Sequence, residues 1–285
     1  MVKSKKKRWS SPIVRSFWKQ VGGRNPYSAI ERVCSQLLEQ LGKENPPFQS
    51  SEYEFAKLLN IRVIENEISC DGLLALAGKR FVIQVKRSAT PERKSFTVCH
   101  ELGHIEIVRR ATADSNDFLA VMGKRQGTDE EERLSNFFAA NLLMPRDHFL
   151  SRIARLERSM DTLFQLAREY RTSIRATALR IVELKAWDCV FFWCLPERLV
   201  NERMAVRIVG RPVVSSSVDW PHKNCGYVSW GAECVSRAYD DNMIVKDRLI
   251  VRKHNGAKPV YWHLEAARHA FENETLVIAL VFPEK

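Results

Sequence analysis

The His-Glu-Leu-Gly-His stretch at residues 100–104 constrains this chain more than any other feature, because it lines up groups that can do chemistry. On an α-helix, residues four apart leave the same face about one turn apart, so the imidazoles of His100 and His104 can share one metal ion. Glu101 then stands beside that ion as a base. Two neutral imidazoles suit a borderline cation such as zinc, and a carboxylate next to them can take a proton from a water that the cation acidifies. Thr90 and Pro91 read as the N-cap and first residue of this helix, which is expected to run to about Val108. The bland alternative is an amphipathic helix with two partly buried histidines and a surface glutamate, so the context has to decide.

A catalytic zinc takes three protein ligands and keeps a fourth position open. The third donor is expected from a second helix, in which Thr128 and Glu131 form a capping box, Leu134, Phe137, Phe138 and Leu142 recur at helical spacing, and Pro145 stops the run. Glu132, in its first turns, is the chosen ligand. Asn136 lies four residues on, on the same face, where its amide can hold either the Glu132 carboxylate or a ring N–H of a ligand histidine. The blander reading of Asp129 to Glu132 is four acids favoured at a helix N-terminus by the dipole, and it accounts for three of them.

Taken together, residues 96–104 and, after 27 intervening residues, 132–145 resemble the ImmA/IrrE metallopeptidases, gluzincin-like enzymes that cleave transcriptional repressors of mobile elements or stress regulons. The similarity runs roughly from residue 27 to residue 185. It implies that His100, His104 and Glu132 bind a metal, zinc with manganese as the alternative, and that Glu101 is the catalytic base. It also implies a protein substrate, a helix-turn-helix transcriptional repressor, whose cleavage derepresses the genes it controls. One departure is visible, Ser135 where the family usually has Ala.

The expected fold class is α+β. A basic N-terminal extension (1–26) precedes a zincin-like HExxH metallopeptidase domain with a small β-sheet (27–150). A helical, helix-turn-helix-like segment (151–187) and a smaller α+β C-terminal domain (188–285) follow. At 285 residues the chain is long enough for about two domains with cores of their own. Its longest apolar run, residues 276–282, is far too short to span a bilayer, so no membrane partner is expected. Seven cysteines, an odd number without a Cys-x-x-Cys pair, point to reduced thiols in a cytoplasm. A structural metal drawn from Cys189, Cys194, His222, Cys225 or Cys234 fits no standard zinc spacing.

Of the net charge of +11, residues 1–24 supply +8 through Lys3, Lys5, Lys6, Lys7, Arg8, Arg15, Lys19 and Arg24, with no acid among them. Trp9, Phe17 and Trp18 are interleaved with these charges, a pattern that nucleic acid or an acidic partner could use. Residues 161–185 have helix-turn-helix spacing, with Arg175 and Arg180 on the second helix. The runner-up reading is therefore a non-catalytic DNA-binding or regulatory module working through residues 1–24 and 161–185.

Between these landmarks the patterns predict a helix over 27–41, a short helix closed by Asn60, a strand at 61–64 and a hairpin of 73–77 with 81–85. The edge of such a hairpin can pair with an extended peptide. Residues 109–127 lack periodicity and read as a flap near the cleft. Beyond residue 188, strands are expected at 190–194, 204–214, 227–230, 248–252 and 276–282, with a helix around 264–271 and Trp220, Trp230 and Trp262 as core or pocket lining.

Overall fold

The computed structural model describes residues 9–42, 51–77, 80–114, 118–123, 127–199, 203–218, 220, 226–251, 260–271 and 274–283. The chain divides into two units, Met1–Phe149 with Arg168–Ser173, and Leu150–Ala167 with Ile174–Lys285. The helical segment expected at 151–187 thus does not stand apart, since most of it belongs to the second unit.

The first unit is built around α4 (Pro91–Ala111), whose N-cap Thr90 accepts a hydrogen bond from the Arg93 amide. Val98, Cys99, Leu102, Ile105, Ile107 and Val108 are all fully buried, and a helix apolar on nearly every side is one that the rest of a unit must surround. On one side lies a sheet of order β1-β3-β2, formed by β1 (Arg62–Asn66), β2 (Gly72–Ala77) and β3 (Arg80–Lys86). β3 alternates strictly and buries Phe81, Ile83 and Val85. β2 pairs with it antiparallel, with Leu74 opposite Ile83, and β1 pairs parallel, with Val63 opposite Ile83. The expected hairpin is therefore present, and its turn at 78–79 lies outside the described residues. Asn60 closes α3 (Ser51–Leu58) in the left-handed conformation at φ 59°. Part of the presumed flap is helical: in α5 (Phe118–Gly123), Phe118 meets Phe81 edge to face at 5.3 Å.

Two further helices, α2 (Pro26–Gln40) and α6 (Asp129–Leu143), complete the core. α6 begins with the expected capping box of Thr128 and Glu131 and crosses α4 closely at Gly103. A Cβ on Gly103 would stand 3.0 Å from the Ser135 Cα and 3.1 Å from the Phe138 Cβ, so the glycine lets the two helices approach this closely without a tight contact.

The N-terminal region departs from its expected role as an extension. Residues 12–21 form α1 (Pro12–Val21), capped by Ser11 and packed on α2 and α4, with Val14 and Phe17 fully buried. Trp9 meets Tyr27 edge to face at 5.6 Å, and the Trp18 indole N–H donates to the Gly23 carbonyl at 2.9 Å. The aromatic residues that suggested stacking on nucleic acid are thus spent on packing. Their apolar stripe is short, and the surrounding charges hide it in the sequence. Residues 3–8, with the lysine run, lie outside the described residues.

In the second unit, β4 (Val190–Arg198), β5 (Met204–Val214), β6 (Gly226–Val228), β7 (Val245–Val251), β8 (Val260–Phe271) and β9 (Glu274–Pro283) form an antiparallel sheet of order β6-β5-β4-β9-β8-β7. Phe192, Cys194, Leu264, Val277 and Ala279 share a core with Val235 and Ala238 of α10 (Ala232–Asp241). The helix expected at 264–271 is instead β8, paired on both sides: Leu264 faces Asp247 of β7 and Val281 of β9. Pairing outweighs the helix-favouring Glu265-Ala266-Ala267-Arg268 composition. Trp220, Trp230, Trp262 and Phe192 pack on one another at centroid distances of 5.5 to 6.1 Å, which is core packing. Cys194 and Cys234 donate to the Val277 and Val245 carbonyls, each thiol held well above its ordinary pKa by burial, so they serve as core residues. His222 and Cys225 lie outside the described residues.

After α7 (Arg146–Ile153), α8 (Met160–Glu169) and α9 (Ile174–Glu183) correspond to the helix-turn-helix-like segment. Ser159, and not Asp161, caps α8, its hydroxyl accepting from the Thr162 amide at 3.1 Å. On α9, Arg180 is 1% exposed and paired with Glu183, and Arg175 lies over the Trp193 ring at 4.9 Å. Both arginines that DNA would need are engaged inside the unit.

Ser135, fully buried at the α4–α6 crossing, has a hydroxyl with no hydrogen-bond partner. Removing it relieves a desolvation cost of about 1 kcal/mol. Ser135→Ala is therefore expected to raise the melting temperature by roughly 2–4 °C, measured by calorimetry, and a lower melting temperature would contradict this packing.

Candidate metal centre

The crossing at Gly103 brings two i, i+4 pairs face to face, His100 and His104 on α4 and Glu132 and Asn136 on α6. The Nε2 atoms of the two histidines are 3.1 Å apart. The Glu132 carboxylate closes the triangle, Oε2 at 3.4 Å from the His100 Nε2 and Oε1 at 3.2 Å from the His104 Nε2. Among the described residues this is the one group of three or more such side chains able to hold a metal ion. Donors about 2.0–2.1 Å from a tetrahedral zinc lie about 3.3 Å from one another, so the observed separations match three corners of that polyhedron.

The protonation pattern fits as well. The His100 Nδ1 is 3.0 Å from the Asn136 Oδ1, and because an amide oxygen only accepts, Nδ1 carries the proton and Nε2 presents its lone pair to the centre. Burial lowers the His100 pKa, against the opposing pull of Glu132, and so favours the neutral ligand form. Of the two roles open to Asn136, the structure has the one that orients a histidine. Phe96, one turn before His100, stacks on its ring at a centroid distance of 6.1 Å.

Glu101 is largely buried beside this cluster. Burial first, and the Glu132 carboxylate second, push its pKa up to about 7, which is the range of a base that works near neutral pH. The strand β2 enters next to it. A Cβ on Gly72 would lie 3.5 Å from the Glu101 Oε1 and 2.2 Å from the Thr97 Cγ2, so the glycine lets the strand run against the base. Arg93 ties this entry to α4, its Nε donating to Asp71 at 2.9 Å.

The structure thus brings together all four residues singled out from the sequence. It adds Gly72 and Gly127, which the sequence offers only as turn or loop residues. A Cβ on Gly127 would stand 2.8 Å from the Glu132 Oε1 and 3.6 Å from the His104 Cε1. Their signal is their place in the chain, one before β2 and one just ahead of the Thr128 cap.

Losing a hydrogen bond that orients a ligand commonly costs 10–100-fold in metal affinity. Asn136→Ala is expected to weaken zinc binding by about that factor while leaving the helical circular dichroism unchanged, as read by competition with a chromophoric chelator. An unchanged affinity would contradict the orienting role.

Comparison with known proteins agrees with this geometry. No curated protein matches the chain. Among solved structures the chain is similar to a Mycobacterium tuberculosis transcriptional regulator, at 13% identity and a TM-score of 0.59, over 96% of this chain and 81% of that one. At such identity the likeness concerns the fold alone. Residues 56–182 match the Peptidase_M78 family model, described as the IrrE N-terminal-like domain, a span that contains His100, Glu101, His104 and Glu132. This match supports the resemblance of residues 56–182 to the ImmA/IrrE metallopeptidases.

Proposed function

We propose that the protein is a zinc-dependent endopeptidase in which His100, His104 and Glu132 hold the metal and Glu101 is the catalytic base. The observation that carries this reading is the convergence of two Nε2 atoms and one carboxylate at 3.1 to 3.4 Å, beside a buried glutamate. Held by these three residues, zinc would supply Lewis acidity to a water and to a substrate carbonyl. Glu101 accepts the proton of the attacking water and delivers it to the leaving amine. Asn136 keeps the His100 ring in register, and Gly127 leaves the Glu132 carboxylate room. β2, whose outer edge has no strand partner among the described residues, offers backbone groups to an extended substrate segment that would pass Glu101 at Gly72.

The substrate we propose is a helix-turn-helix transcriptional repressor, cleaved to derepress genes of a mobile element or a stress response. The match of residues 56–182 to the IrrE N-terminal-like domain supports a peptidase that acts on regulator proteins, and the similar fold of a transcriptional regulator is in keeping with a regulatory setting. A DNA-binding module without catalysis is less well supported, because Arg180 is buried and Trp9, Phe17 and Trp18 are packed. No helix among the described residues is long and apolar enough to cross a membrane.

The two glutamates separate the roles. Glu132→Gln replaces an anionic donor by a weaker neutral one, so zinc and activity are expected to fall together. Glu101→Gln keeps size and packing but cannot take the proton, so about one zinc per chain should remain while cleavage slows by roughly two to four powers of ten. Both are measured on a candidate helix-turn-helix repressor as substrate, with fragments followed on a gel and metal counted in the same samples. Undiminished cleavage by Glu101→Gln would rule out the mechanism.

A further inference from the structure

The N-terminal segment is bonded to the start of the helix that carries Glu132. The Ser10 amide donates to both Glu130 carboxylate oxygens at 2.9 Å, and the Ser11 amide to Oε2 at 2.8 Å. The Ser11 hydroxyl donates to the Glu131 Oε1 at 2.5 Å, while the other oxygen of Glu131 accepts from the Thr128 amide at 3.2 Å. All these side chains are buried: Ser11 is 3% exposed, Glu130 8% and Glu131 1%.

The same segment reaches the other ligand-bearing helix. Ser11 caps α1, accepting from the Val14 amide at 3.3 Å. Farther along α1, the Ser16 hydroxyl donates to the Ala111 carbonyl at 2.7 Å, and Gln20 bonds to Asp114 just past the end of α4. α1 therefore braces the first turn of α6 against the last turn of α4. Glu132 follows directly after the two clamped glutamates, and its own side chain is 48% exposed, so packing around that side chain does little to fix it. Its position is set by the backbone of the first turn, which Glu130 and Glu131 anchor.

The geometry points to Ser11, with Glu130 and Glu131, as positioning residues for the metal centre: their hydrogen bonds hold the first turn of α6 where Glu132 meets His100 and His104. This rests on the reading of those three residues as a metal site. The acids ahead of Glu132 thus do more than complement a helix dipole, and the intact N-terminal segment from Ser10 onward is part of what makes the centre.

The test uses the full-length, metal-free protein and zinc alone. Ser11→Ala removes the hydroxyl that serves both Glu131 and the α1 cap, and it is expected to weaken zinc binding about tenfold, the scale seen when an outer support of a ligand is lost. Ser11→Thr keeps the hydroxyl and should restore most of the affinity. Val14→Ala serves as the stability control, because it opens a cavity in the same helix without touching the clamp. It should lower the melting temperature of the metal-free protein at least as much as Ser11→Ala does, yet bind zinc as the parent does. Parental affinity in Ser11→Ala, or a loss of affinity in all three variants in step with melting temperature, would overturn the positioning role. His100→Ala in the same titration separates the two ideas: if it loses zinc while Ser11→Ala does not, only the clamp fails, and if it also binds as the parent does, the metal site fails and the clamp with it.

Discussion

The close passage of α4 and α6 is the constraint on which the first unit depends. Packed helices usually keep their axes about 8–10 Å apart, and the lower end of that range needs a small residue at the contact. Gly103 is that residue, lying between the two histidines and against Ser135 and Phe138. Because His100 and His104 are four apart, as are Glu132 and Asn136, the crossing lays two rungs across it. His100 meets Asn136 at 3.0 Å, and His104 meets Glu132 at 3.2 Å. A methyl group at position 103 would press on Ser135 and Phe138 at 3.0 to 3.2 Å and push the two helices apart by a few tenths of an ångström.

A helix as buried as α4 can carry polar groups only if each is answered. Glu106, 2% exposed, accepts from Arg109 and Arg110 at 3.1 Å, and Ser95 donates to the buried Glu52 at 2.8 Å. These pairs neutralise or satisfy what burial would otherwise penalise. Glu101 is treated differently, since burial and a second carboxylate raise its pKa together. A carboxyl group raised in this way next to converging imidazoles is the kind of perturbed group that clusters at functional sites. The N-terminal brace belongs to the same economy, with Glu130 and Glu131 buried but each met by Ser10 or Ser11.

Much of the centre was legible in the sequence because helical spacing and capping chemistry are local. Thr90, Thr128 with Glu131, and the i, i+4 pairs fix which side chains share a face, and the structure has those caps as read. The closeness of the crossing was not legible, because Gly103 acts through residues some thirty positions away. The same holds for Gly72 and Gly127, whose missing side chains matter only once Glu101 and Glu132 stand beside them. α1 escaped notice because Val14 and Phe17 lie among positive charges, and its partners Glu130 and Glu131 are more than a hundred residues distant. In the second unit the local composition of β8 favours a helix, and only its pairing with both β7 and β9 makes it a strand. α10 is framed by Gly231 and Asn242, both in left-handed conformations that mark helix ends.

The central claim is that two imidazole nitrogens and one carboxylate converge on a single cation between α4 and α6. X-ray absorption at the zinc edge of the full-length protein, loaded with one equivalent of zinc, tests it directly. The account predicts a first shell of nitrogen and oxygen at about 2.0–2.1 Å, with the multiple-scattering signature of two imidazoles and no sulfur. A sulfur shell near 2.3 Å, or imidazole scattering from any number of histidines other than two, would contradict it.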